Sequence, residues 1–193
     1  KAISLNPDNT DAHFRLGFMY VMRKMFQKAA EVFESLILVD PENINAFFML
    51  GTSYSELREY YPAISNLQYA LRLKPEFVEA RLTLADSYHN QGKYLIALDQ
   101  LGTLEQFIPN EDTTYLHRGL LMMELERNGD AIPYFERAVE VNTQLLEAYE
   151  LLVGLYESQG VPEKAVEWAQ RTIAINPDNE EIKETLNRLN PNS

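Results

Sequence analysis

Apolar residues fall along this chain in paired stripes with three- and four-residue spacing. Between residues 47 and 75 the first stripe is Phe47, Leu50, Gly51 and Tyr54, the second is Ala63, Leu67 and Ala70, and Pro75 closes the pair. Such spacing puts each stripe on one face of an α-helix and predicts two helices joined by a short turn. A small residue in each stripe lets the two backbones come close. The layout recurs, because Pro7, Pro41, Pro75 and Pro109 are each 34 residues apart and Pro177 lies two periods further on. A fixed period in this range predicts stacked helical hairpins.

The period divides the chain into one continuous array. Residues 10–43, 44–77, 78–111, 112–145 and 146–179 are five whole units, and 180–189 form a capping helix with Ile182, Leu186 and Leu189 on one face. Residues 1–9 are expected to end a preceding repeat, since Ala2 to Pro7 echoes Ala70 to Pro75, so the chain reads as a segment of a longer protein. Asp8, Asn9 and Thr10 are candidate N-caps, Gly92 marks a hairpin turn, and Pro62 falls near a helix start where its missing amide costs little. The fourth unit departs most, with Arg118 in an apolar place, Met122 in place of tyrosine and Thr143 in place of proline. Asn128 to Asp130 are expected to supply its turn, with Asp130 capping the second helix so that Pro133 stays in the first turn. In the fifth unit Val153 stands where a small residue is preferred, and Gly154 beside it is expected to compensate.

Composition adds constraints. Hydrophobic residues make up 46% and charged residues 24%, which fits a folded chain and not a disordered one. Cysteine is absent, so neither disulfides nor thiolate metal sites arise, and the redox compartment stays open. No run approaches the ~20 apolar residues of a membrane-spanning helix. A net charge of −12 argues against nucleic-acid binding, which needs clustered Lys and Arg. The charge is uneven: residues 10–77 carry 7 basic and 8 acidic side chains, net −1, whereas residues 78–179 carry 7 and 17, net −10. Basic partners should favour the carboxyl-terminal part.

Phe47, Leu50-Gly51, Tyr54, Ala63, Leu67, Ala70 and Pro75 fill the aromatic, Leu-Gly, Tyr, Ala, large apolar, Ala and Pro places of the tetratricopeptide repeat pattern, which the chain resembles over almost its whole length. The resemblance implies an all-α fold, a right-handed α-solenoid of helix-turn-helix repeats. It also implies a concave groove, lined by the first helices, that holds a peptide or partner helix, and a binding module without chemistry of its own. The family's carboxylate clamp needs Lys, Arg and Asn at groove places. No frame supplies them here: the first holds Phe14, Phe18, Met49, Glu79 and Thr83.

At about 100° per residue, places 2, 5, 9, 12 and 13 of each first helix cluster away from the packing stripe and are expected to face the groove. Among the residues at these places the candidate binding residues are Phe14, Phe18 and Met22 in the first unit; Phe48, Thr52, Ser55 and Glu56 in the second; and Leu82, Asp86 and His89 in the third, where Glu79 and Asn90 also fall at such places. Leu116 and Leu120 follow in the fourth unit, and Glu147, Glu150 and Glu157 in the fifth. The groove so read runs from apolar to acidic and suits a protein or peptide with apolar and basic residues. The plainer alternatives are that an upstream repeat covers Phe14, Phe18 and Met22, and that the carboxylates form a solvated face.

No phosphate-cradling glycine loop, paired-histidine zinc motif or nucleophile elbow occurs. His13, His89 and His117 occupy different repeat places, so neither a metal, a cofactor nor catalysis is expected, and Trp168 reads as a packing residue. The leading expectation is a non-enzymatic interaction module. A self-associating scaffold and a regulatory or targeting arm of a larger enzyme are the alternatives, with the cytoplasm as default compartment.

Overall fold

The structure, a computed structural model, describes residues 9–190; the expected end of a preceding repeat falls almost entirely outside them, as does Asp8. Among the described residues there are eleven helices and no strand: α1 (Thr10–Met22), α2 (Phe26–Val39), α3 (Ile44–Glu56), α4 (Tyr60–Leu73), α5 (Val78–Asn90), α6 (Tyr94–Leu104), α7 (Asp112–Glu124), α8 (Asn128–Val141), α9 (Leu146–Ser158), α10 (Pro162–Ile175) and α11 (Glu180–Leu189). First helices begin at residues 10, 44, 78, 112 and 146, and α11 begins at 180, so the 34-residue period of the sequence is the period of the helices. The chain forms two compact units, α1 to α6 and α7 to α11, divided after Phe107. Within each, helical hairpins stack as a repeat solenoid.

The start of each first helix has its own chemistry. Asn9, Asn43 and Asn179 accept hydrogen bonds from the amides of Ala12, Ala46 and Ile182 at 2.9, 3.0 and 3.1 Å, satisfying donors that no earlier turn could pair. Phe77 holds the same place before α5 without a side-chain bond, and its buried ring packs on Phe48 instead. Each hairpin turns at one place, where Lys24, Arg58, Gly92, Glu126 and Gly160 all adopt φ between 55° and 71°. Only Gly92 and Gly160 reach that region without steric cost.

A size match sixteen residues apart sets how closely each hairpin closes. A Cβ on Gly17 would lie 2.7 Å from the Phe33 ring, and one on Gly51 would lie 2.7 Å from Leu67, both closer than such atoms come. Gly119 is pressed in the same way against Phe135. In the third hairpin the pair is Ala85 and Leu101, both buried. The fifth reverses it: Val153 is the larger member and Ala169, sixteen residues on, the smaller, and both are buried. Ala169 therefore accommodates Val153. Gly154, expected to do so, is exposed with open space about it.

Neighbouring hairpins are tied by tyrosines reaching back twenty residues. The Tyr54 hydroxyl donates to Glu34, Tyr156 donates to Glu136 at 2.7 Å, and Gln68 donates to the Tyr88 hydroxyl at 2.9 Å. The hydrogen bond to Glu34, then burial, then the charges of Glu34 and Glu59 push the Tyr54 phenol up to about 12. Burial and the Glu136 bond raise Tyr156 as well, while Lys164, donating at 3.2 Å, opposes them.

The fourth hairpin differs from its sequence expectation. Asn128 to Asp130 are already helical, and the turn is made at Glu126. Asp130 does not cap: Arg127 is the N-cap residue without a side-chain bond, and the Asp130 carboxylate accepts from Arg127 Nε at 2.7 Å. Pro133 thus lies inside α8, beyond the first turn. It leaves the carbonyl of exposed Gly129 without its helical partner, and solvent access limits that cost.

Two expectations follow. Val153→Gly should cost about 2–3 kcal/mol by emptying buried space, and Ala169→Phe roughly 1–3 by overfilling it. The double variant should recover at least about 1 kcal/mol of the sum in urea denaturation; additivity within about 0.5 would refute the size match. For Tyr54 the folded pKa lies above the unfolded one, so its contribution is complete below the unfolded value and fades as pH rises. The stability gap between wild type and Tyr54→Phe should be constant up to about pH 9 and close towards about pH 12. A gap that widens in that range contradicts the Glu34 bond.

Candidate functional site

In the amino-terminal unit the first helices lie side by side, α1 against α3 and α3 against α5. This follows from the packing stripes, which turn each first helix towards its own second helix and leave the opposite face to solvent. Phe18 is 43% and Met22 69% exposed, unusual for large apolar side chains. Phe14 is half-buried, edge-on to the core ring of Phe33 at 5.8 Å and stacked on Phe18 at 6.5 Å. Phe48 is also half-buried, its ring 4.8 Å from Phe77. Phe14 and Phe48 are therefore tied into the fold, whereas Phe18 and Met22 are offered to solvent.

Beside them, α3 and α5 border an open cavity of about 460 Å3. Five nominated residues meet there, Thr52, Ser55 and Glu56 from α3 with Asp86 and His89 from α5. Thr52 donates to the Phe48 carbonyl at 2.9 Å, and Ser55 is 3.2 Å from Ser87, a bond that links the two helices. His89 lies 5.6 Å from the Tyr94 ring. Glu56 and Asp86 are exposed, so two carboxylates face the opening. Leu82 is half-buried and lies outside the cavity. Arg58, Tyr60 and Thr83 also line it, although the groove-facing places did not nominate them. Arg58 and Tyr60 sit on the turn and second helix, and the two-residue distance from Glu56 to Arg58 was the one signal available.

In the carboxy-terminal unit the nominated residues part company. Leu116, expected to line a groove, is 7% exposed and belongs to the core with Phe135 and Leu152. The correction has a simple cause: at that place an aliphatic chain reaches apolar neighbours and is drawn in. Leu120 packs on the same core and is half-buried. Glu147 is exposed. Glu150 accepts from Asn179 at 2.6 Å, and Glu157 pairs with Arg188, so α11 and its N-cap residue hold two of the three carboxylates. The same helix buries Ile182 and rests Leu186 and Leu189 on the core.

His13 is buried and donates from Nδ1 to the Asn9 carbonyl at 3.0 Å, and Trp168 is buried edge-on to Tyr149 at 5.6 Å, so both are packing residues. Among the described residues no three His, Asp or Glu converge as metal ligands. No described helix is long and apolar enough to cross a membrane.

Residues 22–104 match the family model described as anaphase-promoting complex, cyclosome, subunit 3, and residues 116–180 match one described as tetratricopeptide repeat. No curated protein sequence matches the chain at a significant level. Among solved structures, the C-terminal part of a TPR repeat-containing protein from Cytophaga hutchinsonii is similar with a TM-score of 0.82 at 18% identity, covering 92% of this chain and 73% of that one. The MamA protein is similar with a TM-score of 0.79 at 19% identity over 89% and 94%. YrrB, described as a TPR protein with an unusual peptide-binding site, gives 0.74 at 18% identity over 95% of each chain. At these identities the likeness is one of fold.

Proposed function

This chain belongs to the tetratricopeptide repeat family, a family of protein–protein interaction scaffolds, and we propose that its amino-terminal unit holds a peptide on the face formed by α1, α3 and α5. An apolar side chain of the peptide rests on Phe18 and Met22, with Phe14 behind them. A Lys or Arg side chain enters the cavity between Glu56 and Asp86, where Thr52, Ser55 and His89 offer further polar contacts. The observation that carries this reading is the cavity itself, which gathers five groove-facing residues from two helices. Affinity comes from the exposed apolar pair and selectivity from the carboxylates. Along the sequence the groove-facing order is apolar first and acidic later, with Glu147, Glu150 and Glu157 the acidic groove places of the fifth hairpin, the last two already engaged by Asn179 and Arg188.

A second reading, self-association, is favoured by one observation. Met19 and Met25 are exposed near Met22 at the turn end of the first hairpin, and Leu38 and Val39 are exposed at its other end, so the hairpin offers apolar surface at both ends. Light scattering over a range of concentrations separates the two, a persistent monomer counting against association.

Selection from a random peptide library should yield peptides pairing a large apolar residue with Lys or Arg. Phe18→Ser with Met22→Ser should weaken the best of them by roughly thirtyfold, and Glu56→Lys should abolish the preference for a basic residue. Peptides that lack basic residues and bind both variants as tightly as wild type would refute the proposal.

A further inference from the structure

A second cavity of the amino-terminal unit lies on another edge, where the turns of the second and third hairpins meet, and has a volume of about 410 Å3. Arg58 and Lys93 line it with Tyr60, Tyr61, Pro62 and Gln91. Tyr61 is 76% exposed, and the Lys93 ammonium stands 5.5 Å from its ring centre and 5.9 Å from that of Tyr88. Lys93 thus stands beside aromatic surface in a chain whose net charge is −12. Neither Arg58 nor Lys93 has a carboxylate within ion-pair distance among the described residues. Glu59 shares the lining, and Arg58 and Lys93 outnumber it two to one, which leaves the cavity net positive.

A further feature narrows the chemistry. The Gln91 side-chain oxygen is buried and accepts no hydrogen bond. A buried acceptor left in that condition is destabilising, and a donor from a ligand relieves it. The cavity therefore presents two cations for an anion, aromatic and proline surface for an apolar group, and one acceptor for an N–H. An acidic residue within a peptide carries all three: a carboxylate, an adjacent backbone amide and an apolar neighbour.

We propose that this turn-edge cavity is a second peptide site, selective for a carboxylate-bearing residue flanked by an apolar one. Arg58 and Lys93 bind the carboxylate, Gln91 accepts from the peptide amide, and Tyr61 and Pro62 support the apolar side chain. It is opposite in charge preference to the face between α3 and α5, and it stands or falls independently of that reading. Arg58 borders both cavities.

The test is a titration of the whole chain, followed by amide NMR shifts, with the capped peptide acetyl-Leu-Asp-Leu-amide and its neutral counterpart acetyl-Leu-Asn-Leu-amide. The acidic peptide should produce saturable shifts at Gly92, Lys93 and Tyr61, and the neutral one should bind roughly tenfold more weakly. Arg58→Gln with Lys93→Gln, both at exposed positions, should reduce binding of the acidic peptide by a similar factor and leave the neutral peptide unchanged. Tyr61→Ser should weaken both peptides. Equal binding of the two peptides to wild type, or shifts confined to α1, α3 and α5, would overturn the proposal. A failure of basic peptides to bind near Glu56 would bear on the other face alone.

Discussion

The constraint on which the rest depends is steric. In the first four hairpins the backbone of one helix must pass close to a large side chain sixteen residues further on, and only a small residue at the near position permits it. Gly17 under Phe33, Gly51 under Leu67 and Gly119 under Phe135 show the tightness, since even a methyl group has no room there. Protein cores are packed at near-crystalline density, so such contacts tolerate exchange of volume between partners better than its addition. The fifth hairpin demonstrates this by placing the larger residue at 153 and the smaller at 169. Tyrosine links then set each hairpin against its neighbour within a unit, so α1, α3 and α5 present one face.

That face carries function because the architecture does not use it. Packing consumes His13, Gly17, Phe47, Leu50 and Leu84, and the residues interleaved with them are free to vary in chemistry. Even so the separation is partial. Phe14 and Phe48 serve both sides, half-buried against Phe33 and Phe77. Ser55 faces the cavity and also ties α3 to α5. Phe18, Met22 and Glu56 are the most solvent-facing of the residues nominated on this face in α1 and α3. The two cavities of the amino-terminal unit differ in sign at their linings, carboxylates at one and cations at the other, with Arg58 shared.

Helix positions are legible in the sequence because the apolar spacing repeats every 34 residues, with glycine, tyrosine and proline recurring in most units. The fourth turn was misread because Asn-Gly-Asp is a strong local turn signal, and the array's register overrode it by placing the turn at Glu126. Register likewise placed Pro133 within α8. Angular arguments on a helix identify the face but not depth, so Leu116 is buried while Phe14, Phe48 and Leu82, at the same repeat place, are half-buried. Reading each unit separately also hid contacts made across units of the repeat. Asn179 and Arg188, which engage Glu150 and Glu157, lie about thirty residues from their partners, as do Ser55 and Ser87.

The central claim is that stacking and recognition rest on different residues even where those residues are adjacent. Gly17 and Phe18 are neighbours on α1, one buried and one exposed, so urea denaturation of Gly17→Ala and Phe18→Ser side by side tests it most directly. Gly17→Ala should lose roughly 1–3 kcal/mol through overpacking against Phe33, whereas Phe18→Ser should stay within about 0.5 kcal/mol of wild type. Equal losses in the two variants would contradict the account, because Phe18 would then be part of the core and not of the binding face.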